Sequence, residues 1–240
     1  PAKDGTNWYV YCANDPVNYI DPSGLIITCS TDDSAETLRM LMELTDDELA
    51  FVEYLDENGV GTGMGEIKIV KAYDTERHVG QTLITDLINS DTNVNINLGF
   101  REDGETNCAN WDDLSKIDIW VDNGNTLDMG ALMMDVETGD ISWTAFDDYM
   151  ILGHEMVHAW RAINDLYLPS EAKDGDYRYG WARQEELQTT GLIYNAPEYA
   201  KPQSMYWVVS ENGLRLEYNK RKGNSKMRLR LQYWFREEGI

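Results

Sequence analysis

Apolar and polar positions along the chain alternate with two different periods, and the predicted elements follow from which period holds where. The longest helical stretch lies at about 145–163, where Phe146, Met150, Met156, Val157 and Trp160 recur at helical spacing. Thr144 is its expected N-cap with Asp147 at N3, and Asp148 adds negative charge to the first turn. A second helix is predicted over about 178–190, stopped by Gly191, after a loop at 164–176 rich in Asp, Pro and Gly. A third covers 75–89, with Val79, Leu83, Ile84, Leu87 and Ile88 on one face. Residues 34–57 read as helix broken in two, with Thr45 and Glu48 as a capping box and Leu49, Val52, Tyr54 and Leu55 as the apolar face. Glycines at 59, 61, 63 and 65 end it.

Period two marks the strands. Residues 93–98 alternate strictly, so one face is expected in the core and the other in water. Short strands follow at 67–70, 117–121 and 131–136, and Glu137-Thr138-Gly139-Asp140 turns the chain toward Ile141 and Trp143. Residues 205–209, 214–218 and 227–235 read as strands or short irregular pieces. The sum is an α+β fold with a small, mostly antiparallel sheet. The first 25 residues differ: a strand-like Trp8-Tyr9-Val10-Tyr11 is followed by closely placed turn signals at 14–16 and 21–24. They are too short to fold alone, and a boundary is expected after them, before Ser30–Asp33.

Charge narrows the function. Twenty Lys+Arg against 43 Asp+Glu give a formal charge of −23, which would repel a phosphate backbone over most of the surface. No nucleic-acid partner is expected. Residues 213–240 run the other way, with eight Lys/Arg against three Asp/Glu, and are expected to dock on the acidic body or to form a basic binding patch. No apolar run is long enough for a membrane span, and no leader is visible, as expected of a soluble processed product or cut fragment beginning at Pro1. Cys12, Cys29 and Cys108 form no CxxC pair and no disulfide framework.

The candidate chemistry lies late in the long helix, at His154-Glu155-Met156-Val157-His158. Histidines four apart project from one face and can bind one Zn²⁺, while Glu155 between them can take a proton from an attacking water. Two of the chain's three histidines fall in this pattern. Gly153 before them leaves room for a neighbouring strand or ligand. A catalytic zinc needs a third protein ligand and one open position. Glu185 is favoured, because it shares a helix face with Thr189, whose hydroxyl could brace the site. Glu186 is the alternative, followed by Asp174, Asp176 or His78, and the glutamate not on the metal is expected to hold a free imidazole nitrogen. Arg215, Tyr218, Arg228, Arg230 and Tyr233 are candidates for a donor to the developing oxyanion, with Arg215 and Tyr233 taken forward as catalytic.

Two family resemblances attach to different stretches. Residues 7–25, with Asn14-Asp15-Pro16-Val17-Asn18-Tyr19 and Asp21-Pro22-Ser23-Gly24-Leu25, resemble the end of the Rhs/YD-repeat core that precedes a variable toxin in bacterial polymorphic toxins. Asp15 departs from the usual Asn. This implies an upstream Rhs shell, an effector domain at 26–240 that starts near Ile26, and a cognate immunity protein. The partner DPxG, normally shortly upstream, is absent from this sequence, so self-cleavage is not expected. The remainder is similar to the M91 zinc metallopeptidases, the family of NleD-like secreted effectors, in His154–Trp160, Glu185–Leu192 and Ser210–Glu217. Thr190 replaces the usual Val, and Gln188 a common Arg. The resemblance implies a zincin-like fold, one catalytic zinc held by two His and one Glu, a protein substrate in a target cell, and a secreted or translocated product. Host-directed members clip activation loops of mitogen-activated protein kinases, whereas Rhs toxins often act on rival bacteria. The competing readings are a non-catalytic metal-binding or interaction module and a nuclease cargo.

Overall fold

A computed structural model describes residues 26–73, 79–122, 130–167, 184–194, 200–202, 209–223 and 228–230. The first 25 residues, and with them the Rhs-like segment, lie outside it, as do His78, Asp174, Asp176 and Tyr233.

The described residues form a mixed α+β fold with five helices. Strands β1 (Ile27–Ser30), β2 (Glu48–Leu55), β3 (Gly61–Lys71), β4 (Asn93–Leu98), β5 (Cys108–Asn110) and β6 (Lys116–Val121) make one sheet in the order β2-β3-β1-β4-β6-β5. The sheet is larger than expected. It is antiparallel at both ends and parallel at its centre, where β4 pairs with β1 and β6. Parallel pairing needs crossovers; α1 (Ser34–Leu44) and α2 (Val79–Ile88) both fall in the β1-to-β4 connection, whereas the β4-to-β6 connection holds the edge strand β5.

One sheet face carries Ile27, Ile67, Val94, Ile96, Ile117 and Ile119, and these form the core with Leu41, Leu44, Leu83, Ile84 and Leu87 of the helices. The opposite face is polar but still hydrogen-bonded. The Asn95 carboxamide accepts from the Thr28 hydroxyl at 3.1 Å and donates to Asp118 at 2.8 Å, across three neighbouring strands. The alternation of residues 93–98 therefore separates apolar from polar faces, although Asn95 itself is buried.

A three-stranded antiparallel sheet joins β7 (Gly130–Asp135), β8 (Ile141–Ala145) and β11 (Arg228–Arg230), with β7 in the middle. The chain between β8 and β11 supplies α3 (Asp148–Ile163), α4 (Gln184–Thr190), a short pair β9 (Leu192–Tyr194) and β10 (Ala200–Pro202), and α5 (Glu211–Arg221).

Other sequence expectations change as well. Residues 48–55 are strand, not helix. Leu49 and Phe51 pair with Ile69 and Ile67 on the core face, and Val52 and Tyr54 take the other. The Thr45 hydroxyl accepts from Asp47 N, a local turn that ends α1 instead of starting a second helix. The N-cap of α3 is Asp147, with extended backbone, because Thr144 is already paired with Ala131 in β8. Residues 214–218 are helix. The hydroxyl of Ser210, the N-cap of α5, accepts from Gly213 N and starts the turn that Leu214 and Leu216 continue into the interior.

Candidate active site

Helix α3 runs through the middle of the fold, touching α1, α2, α4, α5, β5 and β6. Thirteen of its 16 residues are buried, so it has no solvated face of the usual amphipathic kind. Gly153 permits this. A Cβ there would stand 2.9 Å from Leu214 Cδ1 and 3.1 Å from Leu44 Cδ2, so the glycine admits two helices and not a strand or ligand.

One turn apart on α3, His154 and His158 bring their Nε2 atoms to 3.2 Å from each other. Glu186 Oε2, from the first turn of α4, lies 3.3 Å from His154 Nε2 and 3.2 Å from His158 Nε2. These three ligand atoms converge on one point and could hold a metal ion. Glu185 faces elsewhere. Its carboxylate takes Nε and Nη2 of Arg161 at 2.8 and 3.1 Å, accepts the Thr189 hydroxyl at 3.1 Å, and lies 3.4 Å from His158 Nδ1. Thr189 Oγ1 is 3.2 Å from the same nitrogen. The structure thus sets Glu186 beside both Nε2 atoms and Glu185 beside His158 Nδ1, whereas the sequence favoured Glu185 as the ligand. Glu185 and Thr189 do share a face, as expected, but Arg161 draws that face to the far side of the imidazole.

His154 is braced by Glu211, at 2.8 Å from Nδ1. This carboxylate is itself held by Arg215 Nε at 2.8 Å and Arg230 Nη1 at 2.5 Å, and both guanidiniums lie on the Phe146 ring, at 5.1 and 4.8 Å from its centroid. Gly191 closes α4 with φ +79°, and a Cβ there would meet Ser210 Oγ at 2.7 Å, so the end of α4 abuts the start of α5. That contact brings both bracing glutamates to the same helix, α3.

The pair of imidazoles opens on a cleft lined by Cys108, Ala109 and Trp111 of the β5 region, by Phe146, Met150 and Ile151, and by Tyr167, Arg215 and Arg230. Glu155 lies on its floor, 7% exposed, and accepts a hydrogen bond from the Ala109 backbone N–H. Burial lifts its pKa to about 6. Burial opposes the charged form of His158, yet hydrogen bonds to Glu185 and Glu186 outweigh it and raise the imidazole to about 10. His154 is raised by the same balance of burial against Glu186 and Glu211. Against its own burial, Glu211 is held well below the usual carboxylate range by Arg230 and Arg215, and Glu186 is held below it by the two imidazoles.

The model of the M91 peptidase family, described as effector protein, matches residues 32–224. The chain belongs to the M91 peptidase family. It is therefore a peptidase effector by descent, and every residue lining the cleft except Arg230 lies inside the matched stretch. No curated protein and no solved structure matches this M91 chain. No described helix is long and apolar enough to cross a membrane.

Of the oxyanion candidates, Arg215 and Arg230 line the cleft of the M91 domain, whereas Tyr218 packs on Tyr149 with ring centroids 4.8 Å apart. The side chain of Arg228 and all of Tyr233 lie outside the described residues. Sequence reasoning missed Arg161 and gave Glu211 no role. Arg161 had a signal: it lies three residues after His158 on the same helix, an arginine in an apolar run. Glu211 had a weaker one, as an acidic residue just after a helix-capping serine.

Proposed function

We propose that this M91 domain is a zinc-dependent endopeptidase of the zincin-like, gluzincin type, with His154, His158 and Glu186 as metal ligands and Glu155 as general base. The spacing of the ligand atoms carries the reading. Three ligands at about 2.0–2.1 Å from a tetrahedral ion stand about 3.3–3.4 Å apart, and here the separations are 3.2, 3.2 and 3.3 Å. Two imidazoles and one carboxylate also match the chemistry of a catalytic zinc, which keeps its fourth position open.

When bound, zinc supplies a Lewis acid that polarises the scissile carbonyl and acidifies water. Glu155 then takes the proton of the attacking water and passes it to the leaving nitrogen. Its place between the two imidazoles, under the Ala109 N–H, sets the carboxylate where it can take a proton and return it. Glu211 and Glu185 accept the Nδ1 protons and leave both Nε2 lone pairs for the metal. An extended substrate lies along the edge of β5 that no described strand pairs with, the other edge being bonded to β6. Arg215 supplies positive charge beside the developing oxyanion, with Tyr233 as a second donor. Residues 1–25 are the end of an Rhs core, and the effector domain is 26–240, which the family match from residue 32 supports. The substrate is then a protein of the cell into which the toxin is delivered, and an immunity protein protects the producer.

Glu155→Gln tests the catalytic half. It is expected to lower peptidase activity by about 10²–10⁴-fold while zinc stays bound at about one per chain. A Glu155→Gln protein as active as the parent would sink the reading, and so would a parent that cleaves without metal.

A further inference from the structure

We infer that Asn212 is a positioning residue for His154, acting through Arg230 and Glu211, and that it thereby sets the metal affinity of the site. The inference rests on the reading of His154 as a ligand.

The Asn212 carboxamide bonds to Arg230 and not to either imidazole. It accepts from Arg230 N at 2.8 Å and donates to Arg230 O at 3.1 Å, so it grips both polar groups of the Arg230 backbone along one edge, as a neighbouring strand would. Arg230 is the last residue of β11, whose opposite edge pairs with β7 at Met133. The short strand is therefore held between β7 and the first turn of α5. That grip fixes where the Arg230 guanidinium reaches, 2% exposed, on Phe146 and on Glu211 Oε2. The same Oε2 receives His154 Nδ1. Each link is buried: Asn212 is 4% exposed and Glu211 1%.

A carboxylate that held only Arg215, its neighbour one turn along α5, could turn Oε2 away from the imidazole. Arg230 prevents that, because it takes the second oxygen from the other side. With the carboxylate locked, the imidazole has one tautomer and one ring orientation, and its Nε2 is aimed before the metal arrives. An amide two residues removed from the ring in the chain of contacts thus acts on it through geometry alone.

The test measures Zn²⁺ affinity of the full chain by chelator competition for the parent, Asn212→Ala, Arg230→Met and the double variant. Each single change is expected to weaken zinc by about 10–100-fold. The double variant should be no weaker than Arg230→Met alone, since Asn212 works through Arg230. Ring ¹⁵N signals of the metal-free protein, with only three histidines in the chain, should change for His154 and stay for His158. An Asn212→Ala affinity within about twofold of the parent overturns the inference, as do fully additive losses or equal shifts in both rings. If Asn212→Ala does not fold, Asn212→Asp keeps the acceptor for Arg230 N–H and lacks the donor, and an unchanged affinity there overturns it equally. A parent that binds no zinc sinks the metal reading and this inference with it, whereas a parent that binds and an Asn212 variant that binds as well sink the inference alone.

Discussion

The two histidines of the site reach the same chemical end by different routes. Each Nδ1 faces a carboxylate, and each carboxylate is held by arginine. Both carboxylates also stand in the first turn of a helix, where the dipole favours the ionised form. On the His158 side the brace is nearly local: Arg161 comes from the same helix, three residues on, and Glu185 and Thr189 from α4. On the His154 side it is assembled from α5 and a strand of a separate sheet, with two arginines on one glutamate. Local bracing makes His158 depend on the α3–α4 contact alone. The distributed brace ties His154 to the correct seating of α5 and β11, so the site is complete only when the last described segments of the chain are in place.

The largest effect should come from the exchange of roles between two adjacent glutamates. Glu186→Gln removes the carboxylate that faces both Nε2 atoms, and zinc affinity should fall by far more than the ~10–100-fold typical of a bracing residue. Glu185→Gln should stay within that bracing range, but it also strips Arg161 of its buried partner, and unfolding stability should drop by about 3–5 kcal/mol. Chelator competition and chemical denaturation, run on both variants, separate the two roles. A Glu185→Gln protein with the greater zinc loss would restore the assignment favoured from sequence.

pH sharpens the contrast without any substitution. His158 has a folded pKa near 10 against an ordinary value of 6.5, so its charged contacts stabilise the metal-free protein fully below about pH 6.5. That contribution is lost as pH rises through about 10. Metal-free melting temperature should therefore fall from pH 6.5 to 10, while zinc affinity should climb over the same range as protons cease to compete. A metal-free melting temperature that rises with pH through this window would contradict the ion pairing seen around His158.

How much of this was legible beforehand depends on how far apart the cooperating residues lie. His154, Glu155 and His158 are one turn of one helix, and period and spacing alone place them. The strand-helix confusion at 48–55 arose because Leu49, Val52, Tyr54 and Leu55 satisfy a helical period while Leu49 and Phe51 satisfy a strand period equally well. The decision came from β3, which pairs with them. Leu214-Arg215-Leu216-Glu217-Tyr218 alternates like a strand, yet its polar members turn inward too. Arg215 meets Glu211, and Glu217 accepts from Gly80 N at the start of α2. A buried charge breaks the rule that polar positions mark the solvent side, and its partner, 137 residues away in the last case, is invisible in sequence. Glu185 and Glu186 could not be told apart for the same reason. Their helix phase was readable, but the side on which α3 would lie was set by Arg161.

The smallest effect concerns the glycine that lets the distributed brace close. Gly153→Ala adds one methyl in a helix interior, which by propensity alone would stabilise by about 0.5–1 kcal/mol. The new Cβ would sit 2.9 Å from Leu214 Cδ1 and 3.1 Å from Leu44 Cδ2, tighter than packing allows. Overpacking in a well-filled interior costs about 1–3 kcal/mol, so a net loss of about 1–2 kcal/mol is expected. Leu214 is a residue of α5; its side-chain tip gives way first, and the strain left over pushes that helix from α3. Glu211 rides on the same helix and His158 does not depend on it. Gly153→Ala should therefore weaken zinc through His154 by a few-fold, a fraction of the full bracing effect, with the His158 ring signals unchanged. A more stable Gly153→Ala protein with parental zinc affinity would mean that α3 and α5 are less closely packed than these distances require.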